Sequence, residues 1–323
     1  MRQPAILAQV LIALGIAAGA AAPAPANPQL AAVAGARANM DLLPPVEFRS
    51  ASFDYAHELT IALPASYAAQ PKRRYPVLWV LDGPLMTRIV VGTLDTLVIG
   101  NHAPEMIVIG VGSPAKDGLA GVGRRIVEYS PPGKGYAPTG LAGEAWTSVA
   151  PIPDFPHRAD DFLAMLVGEL RRQQAVKYRF SGEHALYGHS AGGMLAAYSL
   201  FQRPGAFDKM ILGSPYLAGV EGAVFKAEQA YARKHRDLNV NIFIGAGGGE
   251  VDEWFLAASG IVSSTVGFAE RLHLRHYAGN TVTTRLYSGE DHYTVVPRIV
   301  GEGIRHLWRE DARKLGSSWP ARP

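Results

Sequence analysis

The chain of 323 residues contains no cysteine. Disulfide bridges, thiolate metal sites and cysteine nucleophiles are therefore excluded. The fold can do without cross-links because its core is large: 48% of the residues are hydrophobic and only 18% are charged. These are the proportions of a globular protein, and the length fits one large domain or two medium ones.

Excess charge of one sign is also missing, since the formal net charge is only +3. Basic residues occur in short clusters that acidic residues separate, namely Lys72–Arg74, Arg124–Arg125 and Arg171–Arg172. Nucleic-acid-binding proteins usually carry a much stronger basic surface. We therefore expect no nucleic-acid partner, and at most a slight preference for anionic substrates or surfaces.

Long apolar runs are absent after the first segment of the chain. Met1-Arg2 precedes an apolar run from Ala5 to Ala22, and Ala24-Pro25-Ala26 has the form of a cleavage site. This pattern predicts a secretory signal peptide at residues 1–26, followed by a linker at 27–45. A membrane anchor is the alternative, because the run is near the lower length limit for spanning. We expect a periplasmic or secreted protein without stable membrane insertion after cleavage.

Short apolar runs that end near glycine recur along the rest of the chain. They are Val77–Leu81, Met106–Gly112, Ala185–Gly188, Lys209–Gly213, Val240–Gly245 and Thr283–Tyr287, preceded by alternating strands at Val46–Tyr55 and Glu58–Leu63. Helical periodicity appears at Asp160–Arg172, Ile261–His276 and Ile299–Trp308. Buried strands that alternate with helices predict an α/β fold: a doubly wound, mostly parallel sheet with antiparallel leading strands and helices on both faces. We expect one domain at residues 46–310 and a tail at 311–323.

The regular pattern breaks down between Gly112 and Asp160. This stretch is rich in glycine and proline and contains Trp146. An excursion of this length in a compact domain is usually a lid, a binding loop or a disordered insertion. We expect it to form a loop that covers the substrate.

The candidate nucleophile is Ser190, in Gly188-His189-Ser190-Ala191-Gly192. An apolar run precedes this Gly-x-Ser-x-Gly motif and a helical pattern follows it, which is the layout of a nucleophile elbow. Such a turn strains the serine backbone and places its Oγ at a helix N-terminus, where backbone N–H groups favour an oxyanion.

A serine nucleophile needs a histidine base and an acid that orients it. His292 lies in a polar turn after the last strand, where the α/β-hydrolase order of serine, acid and histidine places the base. Glu250 is the first candidate for the acid, because it follows the Val240–Gly245 strand and a glycine run. Asp252, or a serine–histidine pair with its orienting group elsewhere, remains the alternative.

An oxyanion hole needs two donors. Ala191 N–H, directly after the nucleophile, supplies one. The second is expected in the loop after Val77–Leu81, but Pro84 has no N–H, so Gly83 or Leu85 must donate.

No metal or organic cofactor is expected. The run Gly245–Gly249 lacks the third glycine of a dinucleotide loop, because Glu250 occupies its place. Asp154, His157 and Asp160 are a weak metal pattern, since Pro153 and Pro156 prevent the helix that would align them.

These motifs resemble the putative-esterase family of α/β-hydrolases, which includes feruloyl esterases and trilactone siderophore esterases. The resemblance covers about Val46 to Trp308 and rests on Leu81-Asp82-Gly83, the Ser190 motif, Gly247-Gly248-Gly249-Glu250 and Asp291-His292-Tyr293. It implies an α/β-hydrolase fold, a catalytic set of Ser190, His292 and Glu250, and a small-molecule ester as substrate.

Exported siderophore esterases are the most similar subgroup, and they imply an anionic or catecholate substrate. Arg124 and Arg125 would then meet the substrate charge, Trp146 and Tyr216 would form aromatic walls, and His189 would complete the substrate contacts. The expected activity is that of a serine esterase that works through an acyl-enzyme. An acyltransferase or a non-catalytic binding protein of the same fold is the alternative.

Overall fold

The computed structural model describes residues 39–136, 143–144 and 155–315. Trp146, Pro153 and Asp154 lie outside these ranges. Nine strands are found in the described residues: β1 (Asp41–Leu42), β2 (Val46–Arg49), β3 (Ala56–Leu63), β4 (Tyr75–Leu81), β5 (Ile107–Gly112), β6 (Phe180–His189), β7 (Lys209–Gly213), β8 (Asp237–Gly247) and β9 (Ala278–Tyr287).

The strands form a single mixed sheet in the order β1-β3-β5-β4-β6-β7-β8-β9, with β2 also paired to β3. Strands β1, β2 and β3 pair in antiparallel fashion, and β3 joins the sheet antiparallel to β5. All neighbours from β5 to β9 are parallel. The predicted doubly wound sheet with antiparallel leading strands is confirmed.

Helices cover both faces of this sheet. They are α1 (Gly83–Ile99), α2 (Gly118–Tyr129), α3 (Ala159–Ala164), α4 (Arg171–Lys177), α5 (Ala191–Gln202), α6 (Gly219–Ala232), α7 (Trp254–Ala258), α8 (Ile261–Arg275), α9 (Val296–Leu307) and α10 (Arg309–Leu315). A π-helical segment, Met165–Leu170, joins α3 to α4, and short 3-10 turns lie at Ala115–Asp117 and Gly248–Val251. Within the described ranges no helix combines the length and apolar character needed to cross a bilayer.

The core is divided by the sheet because successive strand residues point to opposite faces. In β4, Leu78 and Val80 pack with α1 and α9, whereas Val77 and Trp79 belong to the other cluster, with α3, α5 and α8. Strands buried on both faces explain why their sequences are continuous apolar runs and do not alternate.

The prediction that the chain lacks regular structure between Gly112 and Asp160 is wrong in part. Residues Gly118–Tyr129, within the stretch predicted to lack regular structure, form helix α2. Its glycines at 118, 121 and 123 lower the helix propensity of this segment, so the sequence does not predict a helix here. Tertiary packing overrides that preference, since Tyr129 is buried against Phe162 of α3.

The chain order reverses around β4, which lies between β5 and β6. In α/β sheets a ligand crevice forms at such a switch point, beyond the carboxyl ends of the strands. Here those ends bring together Asp82, which follows β4, and Ser190, which follows β6. This geometry gives the candidate site its place in the fold.

Candidate active site

Ser190 lies in a sharp turn between β6 and α5. Its backbone has φ 58° and ψ −122°, a conformation that L-residues rarely adopt and that is typical of strained functional residues. The turn is tight: a Cβ at Gly188 would stand 2.2 Å from the carbonyl oxygen of Gly192. Glycine is therefore required at position 188, and the Gly-x-Ser-x-Gly pattern has the predicted structural context.

His292 lies in the turn between β9 and α9 and is buried. The Asp291 carboxylate holds this turn, because it accepts hydrogen bonds from the N–H groups of Tyr293 and Thr294 at 2.7 and 2.8 Å. The same two bonds lower the pKa of Asp291. Asp291 is thus occupied by the turn itself, and His292 projects into the cavity that Ser190 also lines.

Glu250 is fully buried and lies beside His292. Its Oε1 is 3.5 Å from Nδ1 of His292, accepts a 2.5 Å hydrogen bond from the Ser214 hydroxyl and a 3.2 Å bond from Gly247 N–H. The histidine contact is longer than a hydrogen bond, as catalytic contacts often are without substrate. Asp252 is exposed, so the described contacts favour Glu250 as the residue that orients His292.

His189 is buried against His292, with their ring centroids 4.6 Å apart. Burial, assisted by His292 and Arg125, lowers the pKa of His189 to about 3, although a backbone contact with His292 acts in the opposite direction. His189 is therefore neutral at ordinary pH. It packs against the His292 ring and also lines the cavity.

The predicted oxyanion donors differ in their geometry. Ala191 occupies the first position of α5, where a backbone N–H has no acceptor within the helix. Leu85 N–H instead donates to the carbonyl oxygen of Asp82 at 3.0 Å, so the prediction for Leu85 is wrong. Gly83 packs on β5, where a Cβ would stand 2.4 Å from the carbonyl carbon of Gly110. Gly83 is the first residue of α1, so its N–H, like that of Ala191, has no acceptor within its helix, and both remain predicted donors.

Both predicted substrate arginines are engaged with aspartates. Arg124 binds Asp117 at 2.5 Å and lies over the ring of Tyr55, and it does not line the cavity. Arg125 does line it, but its guanidinium makes a bidentate pair with Asp82 at 2.5 and 2.8 Å. Burial opposes the charge of Arg125, and the attraction of Asp82 outweighs it and raises the pKa. Neither arginine is an unpaired cation, because α2 directs both towards neighbouring aspartates.

The remaining predicted contacts are placed elsewhere. Tyr216 is buried, its hydroxyl donates to the Tyr136 carbonyl oxygen at 2.9 Å, and it does not line the cavity, so it is no aromatic wall there. Trp146 lies outside the described residues. His157 Nδ1 contacts the Pro131 carbonyl oxygen at 2.6 Å, and the described part of the chain contains no cluster of three potential metal ligands.

The cavity has a volume of about 560 Å³, a typical size for a small-molecule site. Its polar lining residues include Asp82, Arg125, Glu128, His189, Ser190 and His292. The sequence alone does not indicate a role for Glu128 or Ser214. No short motif marks either of them, and only the contacts across the fold reveal them.

Sequence comparison finds relatives among siderophore esterases. A siderophore triacetylfusarinine C esterase from Aspergillus fumigatus is 32% identical over 145 residues, which are 43% of this chain and 44% of that protein. The chain thus spans less than half of this relative. Ferri-bacillibactin esterase BesA from Bacillus subtilis is 23% identical over 294 residues, which are 87% of this chain and 96% of BesA.

Solved structures share the fold. An IroE-like serine hydrolase from Shewanella oneidensis has a TM-score of 0.70 at 21% identity, and the match covers 84% of this chain and 81% of that one. Siderophore hydrolase EstA from Aspergillus nidulans has a TM-score of 0.71 at 20% identity, with coverages of 90% and 98%. At these identities the likeness establishes the α/β-hydrolase architecture alone.

A family model described as "Putative esterase" matches residues 50–294. The matched range contains Ser190, Glu250 and His292 and spans most of the sheet. Together with the buried carboxylate beside His292 and the strained serine at the elbow, this match shows that the chain belongs to this esterase family.

Proposed function

We propose that the protein is an exported serine carboxylic-ester hydrolase that acts through an acyl-enzyme. The observation that carries the proposal is the pairing of His292 with the buried Glu250 at 3.5 Å, in a turn that opens onto the same cavity as Ser190. An imidazole beside a buried carboxylate is the base that a weakly nucleophilic hydroxyl requires.

The chemistry follows from these positions. Ser190 Oγ attacks the ester carbonyl carbon while His292 accepts its proton, and the Ala191 N–H donates to the oxyanion. Collapse of the tetrahedral intermediate breaks the bond to the alcohol oxygen, which takes the proton from His292. Water then repeats the sequence on the acyl-enzyme, releases the carboxylic acid and restores the serine. Glu250 holds the imidazole tautomer and stabilises its charged form.

The substrate class follows from the relatives. Two curated relatives are named as siderophore esterases of fungi or bacteria, and we propose that siderophores with ester linkages, or similar esters, are the substrates of this chain. The apolar lining of the cavity suits the organic part of such molecules. Export rests on the sequence pattern of residues 1–26 and fits an extracellular or periplasmic substrate.

The proposal is tested with a fluorophosphonate probe and a panel of esters. We expect the probe to label wild-type protein on Ser190, and we expect Ser190→Ala and His292→Ala to abolish both labelling and ester turnover. A folded protein that neither reacts with the probe nor hydrolyses any ester would contradict the proposal and favour a binding protein.

A further inference from the structure

The cavity carries charged side chains, yet none of the described ones is an unpaired cation. The charged residues that line it are Asp82, Arg125 and Glu128. Asp82 and Arg125 neutralise each other, and Glu128 contributes a further carboxylate. The electrostatic character of the cavity therefore depends on where these three groups direct their charges.

Arg125 binds Asp82 through the Nε and Nη2 edge of its guanidinium. Its Nε and Nη2 bond separate oxygens of Asp82 at 2.5 and 2.8 Å, and Nη2 also approaches the His189 carbonyl oxygen at 3.4 Å. A bidentate arginine–carboxylate pair is among the strongest protein ion pairs, so a substrate anion would have to compete with Asp82 for this edge, and the aspartate neutralises the charge of the arginine. The guanidinium is part of the cavity wall and offers little net positive potential.

Glu128 directs its carboxylate away from any substrate cation or anion. Its Oε1 lies 2.7 Å from Nε2 of His57, and both side chains are almost fully buried, at 1% and 0% exposure. Rings of Phe53, Tyr55 and Phe162 surround that histidine. The pair adds no accessible positive charge to the cavity.

Apart from Arg125, the described residues that line the cavity include no lysine or arginine. Apolar residues form much of the remaining wall, among them Pro84, Leu85, Met86, Pro114, Val122 and Tyr293. Nearby Lys116 and Arg124 are paired with Glu47 and Asp117.

We infer that this cavity selects uncharged esters and discriminates against anionic ones. The inference rests on the proposed esterase function and names the substrate class of that site. An anion that enters an apolar cavity loses hydration, and the described lining residues offer it no unpaired cation in return. Among siderophore esters, metal complexes without net charge, such as ferric hydroxamates, and metal-free forms fit this cavity. Trianionic ferric catecholates do not.

The direct test compares two esters that differ in one terminal group. p-Nitrophenyl pentanoate ends in a methyl group, and mono-p-nitrophenyl glutarate ends in a carboxylate on an acyl chain of the same length. We expect kcat/KM of wild-type enzyme to be at least about tenfold lower for the glutarate, the effect of 1.4 kcal/mol of unfavourable electrostatics. Equal or faster turnover of the glutarate would overturn the inference.

A charge variant tests whether the discrimination arises in the cavity. Val122 of α2 lines the cavity and is 52% exposed, so Val122→Lys adds a cation there without disturbing the core. The same change at Val176 of α4, which is 89% exposed and does not line the cavity, is the matched control. We expect Val122→Lys to raise the ratio of kcat/KM for the glutarate to kcat/KM for the pentanoate about tenfold, with a smaller increase at high salt. We expect Val176→Lys to leave this ratio unchanged. An unchanged ratio in folded Val122→Lys would count against the inference.

A second test compares two classes of natural siderophore substrate. We expect an iron-loaded hydroxamate trilactone to be cleaved at least about tenfold faster than an iron-loaded catecholate trilactone, for the same electrostatic reason. Preference for the trianionic complex would overturn the inference while leaving the esterase proposal intact. Loss of all turnover together with failed fluorophosphonate labelling of Ser190 would overturn both.

Discussion

Glu250 illustrates how the fold fixes a buried carboxylate beside an imidazole. Ser214 and the Gly247 N–H fix one oxygen, and the same oxygen faces Nδ1 of His292. Asp252 lies only two residues further along the chain but is exposed. The sequence alone could not choose between them, because the choice depends on which carboxylate the 3-10 turn at Gly248–Val251 directs inward.

We predict that Glu250→Gln lowers kcat by about 10² to 10⁴-fold with the fold intact, since the amide no longer stabilises the charged imidazole. Asp252→Asn is the matched control and should retain wild-type kcat. Steady-state kinetics with a p-nitrophenyl ester measures both. The reverse order of effects would show that Asp252 is the orienting acid.

His189 makes stability depend on pH. An unfolded histidine has a pKa near 6.5, whereas burial lowers the pKa of folded His189 to about 3. Between these values the unfolded chain binds a proton that the folded chain does not, so stability falls as pH drops below 6.5. We predict that wild type loses about 2 to 3 kcal/mol more unfolding free energy than His189→Gln between pH 7 and 4.5. Urea denaturation at both pH values measures the difference, and parallel losses would refute it.

Several side chains escape sequence reasoning for a shared physical reason. The turn between β6 and α5 that holds Ser190 is predicted from a local motif, because a turn depends on neighbouring residues. Arg125, in contrast, is predicted from the sequence to face substrate. In the structure it donates to Asp82, which follows β4, and this pairing depends on the fold. Tyr216 follows β7 as expected, yet its hydroxyl turns to the Tyr136 carbonyl oxygen.

At the scale of elements, helix α2 is the part of the cavity wall that the sequence analysis does not predict. The strands were predicted well because burial on both faces leaves a continuous apolar signal. Helix α2 contains three glycines, which lower its helix propensity, and its apolar Leu119 and Val122 are exposed. Its position is set by contacts to distant elements.

One of those contacts is the pair Glu128–His57, which joins α2 to β3. Removing one partner of a buried pair leaves the other charged or polar group uncompensated. We predict that Glu128→Leu costs about 3 to 5 kcal/mol of unfolding free energy, and that adding His57→Leu recovers part of this loss. Urea denaturation of the double-mutant cycle measures the coupling. Additive losses would show that the two groups act independently.

At the scale of the whole molecule, the sequence predicts the fold but not how charges are paired around the cavity. The alternation of strands and helices determined the architecture, and the switch point beside β4 placed the site. The net charge of +3 is compatible with a slight preference for anionic substrates or surfaces, but a total charge does not show how charges pair locally. The ion pairs around the cavity lead to the opposite expectation.

The proposed export is also a property of the whole chain. We predict that the full-length protein, expressed in a bacterium with a general secretory pathway, loses residues 1–26 and is recovered from the periplasm. Intact-mass measurement of the periplasmic protein gives the new N-terminus. A protein that keeps its first residues and stays with the membrane fraction would indicate the anchor alternative.

The central claim is that Ser190 carries the acyl group during turnover. The most direct measurement is mass spectrometry of the enzyme quenched with acid during turnover of a p-nitrophenyl ester, with the adduct mapped by peptide digestion. The account predicts a mass increase equal to the acyl group on the peptide that contains Ser190, and none in Ser190→Ala. An adduct on another residue, or turnover by folded Ser190→Ala at the wild-type rate, would contradict it.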